Sequence, residues 1–140
     1  MKLSSRSKHG LRAVVELALN YDQGLMQIQA IAEKAGISNK YLEQLIAALK
    51  VTGLVRSTRG PKGGYFLARK PSEIKLGEVF TSLEGPTYDI DCAKHPTFSK
   101  GCNECVTKLV WARVQKATLA LIDSTTLQDL VDMAEGKKKP

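Results

Sequence analysis

The chain has 140 residues, of which 43% are apolar, and this is enough to bury the core of one ordinary domain, or of a small domain with an appendage. Its three cysteines, an odd number, exclude a closed disulfide framework, and no run approaches the ~20 apolar residues that a membrane span requires. The N-terminus enters an amphipathic pattern without an apolar signal segment, so we expect a reduced, cytoplasmic protein with no membrane partner.

Positive charge is concentrated in the first half of the chain. Residues 1–70 hold twelve Lys and Arg against four Asp and Glu, a net charge of +8, whereas residues 71–140 hold nine against ten, a net charge of −1. A basic half would meet a polyanion such as nucleic acid, but the charge alone also fits a solvated surface. The order of the predicted elements decides between these interpretations.

The first third of the chain predicts three amphipathic helices. Apolar residues at helical spacing mark one from Ser5 to about Tyr21, which Gly24 ends, and a second in "LMQIQAIAEKA", which ends at Gly36. Serine is a favoured N-cap, so Ser38 is expected to begin the third helix, in "NKYLEQLIAALKVTG". Two short helices joined by "AGIS" have the layout of a helix-turn-helix.

A β-hairpin is predicted directly after the third helix. The runs "LVRST" and "GYFLAR" are β-prone, and they flank "RGPKGG", a glycine-rich and cationic tip. A hairpin appended to a helix-turn-helix is a wing. The predicted fold class is therefore mostly α with a small β-hairpin wing.

Helix and wing together predict contact with DNA. The first turns of such a helix fit the major groove, and glycines in the wing allow the backbone to approach a phosphate or the minor groove. From the residues alone, the candidate DNA contacts are Asn39, Lys40, Glu43, Gln44, Arg56, Arg59 and Lys62.

The second half of the chain predicts three further helices. A short one in "PSEIKLGEVFTSLEGP" ends at Gly85-Pro86, and a last one begins with a capping box of Thr125 and Gln128. Between them a long helix runs from Asn103 to about Asp123. It carries a narrow apolar stripe that consists of Val106, Val110, Val114, Ala117 and Leu121. We expect this stripe to pack on the same helix of a second subunit, and packing inside the chain is the alternative.

All three cysteines lie just before the long helix, at Cys92, Cys102 and Cys105. Thiolates suit an iron–sulfur cluster or zinc, both usually with four protein ligands, and with His95 the spacing C-x2-H-x6-C-x2-C also fits a short zinc site. Inert buried cysteines are a third interpretation. No thioredoxin-like βαβ pattern or general-base constellation accompanies the C-x-x-C pair, so we expect no enzyme.

Several motifs together resemble a known family. "MKLS", "YLEQLIAALKVTGLVRSTRGPKGGYFLAR", "LGEV" and "LEGP" are similar to the IscR/NsrR/CymR family of bacterial winged helix-turn-helix iron–sulfur transcriptional regulators, and the resemblance covers nearly the whole chain. It implies a repressor that binds double-stranded, palindromic operator DNA as a homodimer crossed through the long helix. It also implies that an iron–sulfur cluster senses iron–sulfur, redox or nitric oxide status. We divide the chain accordingly into a winged helix-turn-helix domain (1–84), a cysteine-containing cluster-binding loop (85–102), and a dimerisation helix with a C-terminal helix (103–140).

Residue by residue, the resemblance implies that the DNA contacts are Ser38, Lys40, Tyr41, Glu43, Gln44, Arg59 and Pro61, which overlap the set above. It implies Cys92, Cys102 and Cys105 as cluster ligands, with 2Fe–2S preferred over 4Fe–4S and zinc as the alternative. Cys105 precedes Trp111 by six positions, as the last cysteine does in cluster-binding members.

The fourth ligand departs from the family. Lys108 stands where IscR-type sequences have a histidine, and Lys8 stands where some NsrR-type proteins have a ligating aspartate. The options for the fourth position are therefore His95, His9 from the partner's first helix, Glu104 or no protein ligand. A different alternative follows from "LIDSTTLQDL", which resembles the C-terminal part of CymR and implies a cysteine-metabolism regulator that forms a complex with a metabolic enzyme.

Overall fold

A computed structural model describes residues 3–85 and 106–139. The described parts form helices and one two-stranded antiparallel sheet, which confirms the predicted fold class. In chain order the elements are α1 (Ser5–Leu19), α2 (Ile28–Ala35), α3 (Asn39–Val51), β1 (Val55–Thr58), β2 (Gly64–Leu67), α4 (Leu76–Glu84), α5 (Val106–Ser124) and α6 (Leu127–Ala134).

The helix-turn-helix forms as predicted. Gly36 ends α2 in the left-handed conformation, with φ 71°, where a side chain would be strained. The Ser38 hydroxyl then accepts a hydrogen bond from the Tyr41 backbone N–H at 3.2 Å and caps α3. Ile37, between them, packs against the core. The predicted end of α1 is two residues late, because a 3₁₀ turn at Tyr21–Gln23 intervenes before Gly24.

One hydrophobic core joins α1 to α4 and the C-terminal helix. Val14 of α1, Leu42 of α3 and Val79 of α4 are completely buried in it. Leu127 of α6 is completely buried in the same cluster, and Val131 is 6% exposed. The last helix therefore packs on α1 and this core rather than extending away from them.

The predicted capping box of α6 is wrong by one residue. Thr126, not Thr125, caps the helix: its hydroxyl accepts from the Asp129 N–H at 3.2 Å, and the Asp129 carboxylate accepts from the Thr126 N–H at 2.8 Å. The carbonyl of Thr125 instead accepts from the Leu76 N–H at 2.8 Å. With this cap, Leu127 is the first residue of α6 and is completely buried.

The long helix α5 packs on the rest of the chain through one end. Ile122, near its C-terminus, is 6% exposed and lies beside α4. Most of the preceding turns are exposed, including residues of the apolar stripe. The predicted start at Asn103 lies outside the described residues, and the predicted end at Asp123 differs from the observed end by one residue.

Candidate nucleic-acid interface

The first turns of α3 present a polar surface. The predicted contacts Ser38, Asn39, Lys40, Glu43 and Gln44 are exposed, and Tyr41 is half-buried. The opposite face of α3 is held by three buried residues, Leu42, Leu45 and Ile46. Burial of that face fixes the rotation of the helix, so its polar side is directed outward as a groove-reading helix requires.

Tyr41 is supported from α1. The rings of His9 and Tyr41 meet edge to face with their centroids 5.5 Å apart. The Nδ1 atom of His9 is buried and has no hydrogen-bond partner among the described residues. The sequence suggested His9 only as a ligand of the partner's metal site; here its ring lies beside α3 of its own chain.

The wing carries its exposed residues at the tip. Val55 pairs with Leu67 at the base, and Thr58 pairs with Gly64 next to the tip. Arg59, Pro61 and Lys62 lie between the strands and are exposed. An exposed cationic hairpin tip of this kind is suited to contact a DNA backbone, as the sequence predicted for these three residues.

Arg56 lies on the opposite face of the wing from Ser57. Its partner in the strand register is Phe66, whereas Ser57 pairs with Tyr65. Successive side chains of a strand alternate between its faces. Ser57 and Tyr65 line a cleft of about 480 Å³ between the wing, the start of α2 and the end of α3, and Arg56 is directed away from it.

The predicted cations are free to meet phosphate. Within the described ranges, none of the four basic side chains of the predicted set has a carboxylate within 4.0 Å; they are Lys40, Arg56, Arg59 and Lys62. By contrast, Arg69 at the wing base is paired with Glu78 and donates to the Glu73 carbonyl at 3.0 Å. A cation without a carboxylate partner can neutralise a phosphate without first breaking an ion pair, so the wing tip and α3 would be better suited to phosphate than Arg69.

Two attachments of the wing were not predicted from sequence. Met26, in the loop before α2, forms a bridge with Tyr65 on the outer edge of β2, with backbone hydrogen bonds of 2.8 and 3.0 Å. On the other side, the Lys50 ammonium donates to the Ser57 hydroxyl at 2.8 Å. Gly64 permits the first attachment, since a Cβ there would lie 2.6 Å from the Met26 carbonyl oxygen.

The predicted metal ligands Cys92, Cys102 and Cys105 lie outside the described residues, as do His95 and Glu104. In the described parts of the chain, no group of three or more His, Cys, Asp or Glu could hold a metal ion. The cysteine segment connects the end of α4 to the start of α5. The preceding residue Glu84 is anchored on α1, where its carboxylate accepts hydrogen bonds from the Ser4 and Ser7 hydroxyls, and these bonds lower the pKa of Glu84.

An apolar surface is exposed on α5. Leu121 is 66% exposed, Val110 53% and Val114 39%, and these three residues belong to the predicted stripe. Ala117 is also exposed. Within the described residues the stripe is therefore not covered by the chain itself. No helix there has the length and apolarity that a membrane crossing needs.

Comparisons with known proteins agree with this architecture. Residues 3–133 match the family Rrf2, described as "Iron-dependent Transcriptional regulator". The HTH-type transcriptional regulator CymR of Bacillus subtilis strain 168 is 34% identical over 139 residues, which cover 99% of this chain and 96% of CymR. The HTH-type transcriptional regulator IscR of Klebsiella pneumoniae is 33% identical over 135 residues, covering 96% and 82%.

Solved structures show the same fold. T. potens IscR superimposes with a TM-score of 0.78 at 38% identity, covering 100% of this chain and 93% of that one. The structure of CymR (YrzC), the global cysteine regulator of B. subtilis, gives a TM-score of 0.79 at 33% identity and covers 95% and 98%.

Proposed function

The chain belongs to the Rrf2 family of transcriptional regulators, and we propose that it is a cytoplasmic repressor that binds palindromic operator DNA as a homodimer. It is a regulator rather than an enzyme, as the sequence predicted. The observation that carries the proposal is the pairing of an outward polar face on α3 with a wing tip whose cations have no carboxylate partner among the described residues.

DNA binding is tested by the salt dependence of affinity. Anisotropy of a labelled duplex should give a log–log slope of about −0.9 per phosphate neutralised. Arg59→Ala should weaken binding and make the slope shallower by about one phosphate. Lys137→Ala is the matched control, because it removes the same charge from an exposed residue that is paired with Glu135 in the C-terminal tail. A salt-independent interaction, or equal losses in both variants, would contradict the proposal.

The homodimer is supported by the exposed stripe of α5. Monomeric proteins rarely leave contiguous apolar patches open to water. A two-fold axis beside α5 would pack the stripes of two copies against each other and bury Val110, Val114 and Leu121. It would also place two α3 helices in one assembly, which a palindromic operator requires.

We propose that the cysteine segment holds an iron–sulfur cluster, 2Fe–2S in preference to 4Fe–4S. The donor chemistry supports it: three thiols lie within one connection between α4 and α5, and thiolates are the ordinary ligands of such clusters. The family description as iron-dependent supports iron over zinc. When bound, a cluster would supply a centre that responds to redox or nitric oxide. The candidates for the fourth position are His95, His9 from the partner's first helix, Glu104 or no protein ligand.

Hydrogen bonds of α4 supply a route from the cysteine segment to α3. At its C-terminal end, Glu84 is anchored on α1 beside the start of the segment. Ser82 precedes Glu84 by two residues, and its hydroxyl shares a hydrogen bond of 2.7 Å with the hydroxyl of Thr52. Thr52 is the residue that caps the end of α3. A change in the segment that shifts α4 would therefore shift the recognition helix. Coupling free energies of this kind are typically ~1–3 kcal/mol, which corresponds to a change in operator affinity of about 5- to 150-fold.

The cluster is tested on anaerobically prepared protein. Iron and acid-labile sulfide in stoichiometric amounts, lost together in Cys92→Ala, are the expected result. Zinc without sulfide would overturn the cluster and establish the structural-zinc alternative.

A second candidate function is regulation of cysteine metabolism. It is supported by the similarity to CymR over 99% of this chain and by the description of its B. subtilis structure as a global cysteine regulator. In this alternative the regulator acts through a complex with a metabolic enzyme, and the cysteines need not hold a cluster. Operator affinity that is the same in Cys92→Ala and in cluster-loaded protein would favour it.

A further inference from the structure

The wing is held at mid-height by a line of contacts that crosses it from side to side. Lys50 at the end of α3 donates to Ser57 on β1; Ser57 pairs with Tyr65 on β2; and Tyr65 pairs with Met26 beyond the outer edge. We name this line, Lys50–Ser57–Tyr65–Met26, the wing belt. Below it, Val55 and Leu67 anchor the hairpin base in the core, and above it only the tip projects.

An isolated two-stranded hairpin is only marginally stable in water, so the direction in which this wing projects depends on the elements to which it is attached. The Met26 side of the wing belt consists of backbone hydrogen bonds and attaches the wing to the loop before α2. The Lys50 side is a side-chain hydrogen bond, and it attaches the wing directly to the recognition helix. It therefore joins the two elements that the proposed function places on DNA together.

We propose that Lys50 is a positioning residue for operator binding. It acts through the Ser57 hydroxyl and holds the wing at one angle to α3. At this angle the wing tip and the start of α3 fit the same duplex. This inference rests on the proposed function. Lys50 lies in the last turn of α3, away from the predicted base contacts at the start of that helix. Its ammonium is favoured there because the C-terminal end of a helix attracts cations.

Lys50 and Arg59 both line the cleft between the wing and α2. A lysine there has a simpler alternative role, a direct contact with phosphate that does not involve Ser57. The two roles differ in what happens when the hydroxyl is removed and the charge is kept. Ser57 variants separate them for this reason.

The experiment uses Ser57→Thr and Ser57→Val as a matched pair. Both residues are β-branched, nearly equal in volume and suited to a strand, but only threonine keeps the hydroxyl. On a duplex enriched by the wild-type protein from a random pool, Ser57→Val should bind about two- to tenfold more weakly, the range expected for loss of one hydrogen bond, and Ser57→Thr should bind like the wild type. Hydroxyl-radical footprints of Ser57→Val should lose protection where the wing tip lies and keep it where α3 lies.

A double-mutant cycle with Lys50→Met completes the test. If Lys50 acts through Ser57, the double variant should be no weaker than the weaker single variant. Additive losses, or a loss in Lys50→Met that Ser57→Val does not share, would show that Lys50 contacts DNA on its own and would overturn the positioning role. If the wild type binds DNA and Ser57→Val binds equally well, this inference alone is refuted. If the wild type binds no duplex, the proposed function is refuted and this inference with it. Thermal unfolding of each variant establishes that the affinities compare folded proteins.

Discussion

Replacement of Leu121 by alanine should dissociate the proposed dimer without unfolding the subunit. Leu121 belongs to the α5 stripe and is 66% exposed in the single chain. Burying a whole leucine side chain is worth ~1.5–3 kcal/mol, so burying the exposed two thirds is worth about 1–2 kcal/mol in each subunit. A two-fold interface loses this contribution twice, about 2–4 kcal/mol in all, and the dimer dissociation constant should rise roughly 30- to 1,000-fold.

Sedimentation equilibrium over a range of protein concentrations measures this change. Alanine has the highest helix propensity, so the urea midpoint of the diluted monomer should not fall. Val51→Ala is the matched control, because Val51 is 88% exposed but lies on α3, away from the stripe. A wild type that is monomeric at micromolar concentration, or equal dissociation constants for the two variants, would refute the assignment of the dimer interface to α5.

Three further predictions concern the helix start, the last helix and the cysteine segment. Gln44→Ala should change which base is preferred within each half-site, by ~1–3 kcal/mol of discrimination, which selection from a duplex library measures. The slope of log affinity against log salt concentration should not change, and a salt titration measures it. Asp129→Asn should lower the free energy of unfolding by ~1 kcal/mol at pH 7, because Asp129 completes the cap of α6. The pKa of Asp129 is lowered from 3.8 to about 2, chiefly by the hydrogen bond from Lys138. The stabilisation by the Asp129 carboxylate is therefore present above pH 3.8 and is lost as the pH falls toward 2. Urea unfolding at several pH values should show the stabilities of the wild type and the variant converging near pH 2. Cys92→Ala should abolish iron and sulfide binding but leave far-UV circular dichroism unchanged, and loss of helix instead would indicate a structural site.

The helix-turn-helix could be predicted because its signals are local. The hydroxyl of Ser38, the left-handed position of Gly36 and the apolar spacing of α3 each depend on residues within one or two turns. The exposed residues of α3 followed from the same periodicity. The predicted contact residues of α3 are exposed or half-buried, and their role in DNA binding stays a prediction.

The attachments between elements could not be predicted, because they depend on tertiary packing. Met26 is a single bridge residue within a loop, and neither its neighbours nor its spacing distinguish it. The Lys50–Ser57 hydrogen bond forms only once the hairpin folds back beside α3. The expected capping pair of α6, Thr125 with Gln128, is one residue off, since Thr126 and Asp129 form the reciprocal hydrogen bonds. The local pattern indicated where the helix begins but not which threonine caps it.

Selection of duplexes from a random pool by the wild-type protein tests the central claim most directly, since the pool contains every candidate half-site. A dimer with two equivalent helix–wing units predicts an enriched site with dyad symmetry, whose half-sites are centred one helical turn, or a whole number of turns, apart. Leu121→Ala, taken through the same selection, should enrich only weakly. Enrichment of a site without dyad symmetry, or no enrichment of any duplex by the wild type, would contradict the account.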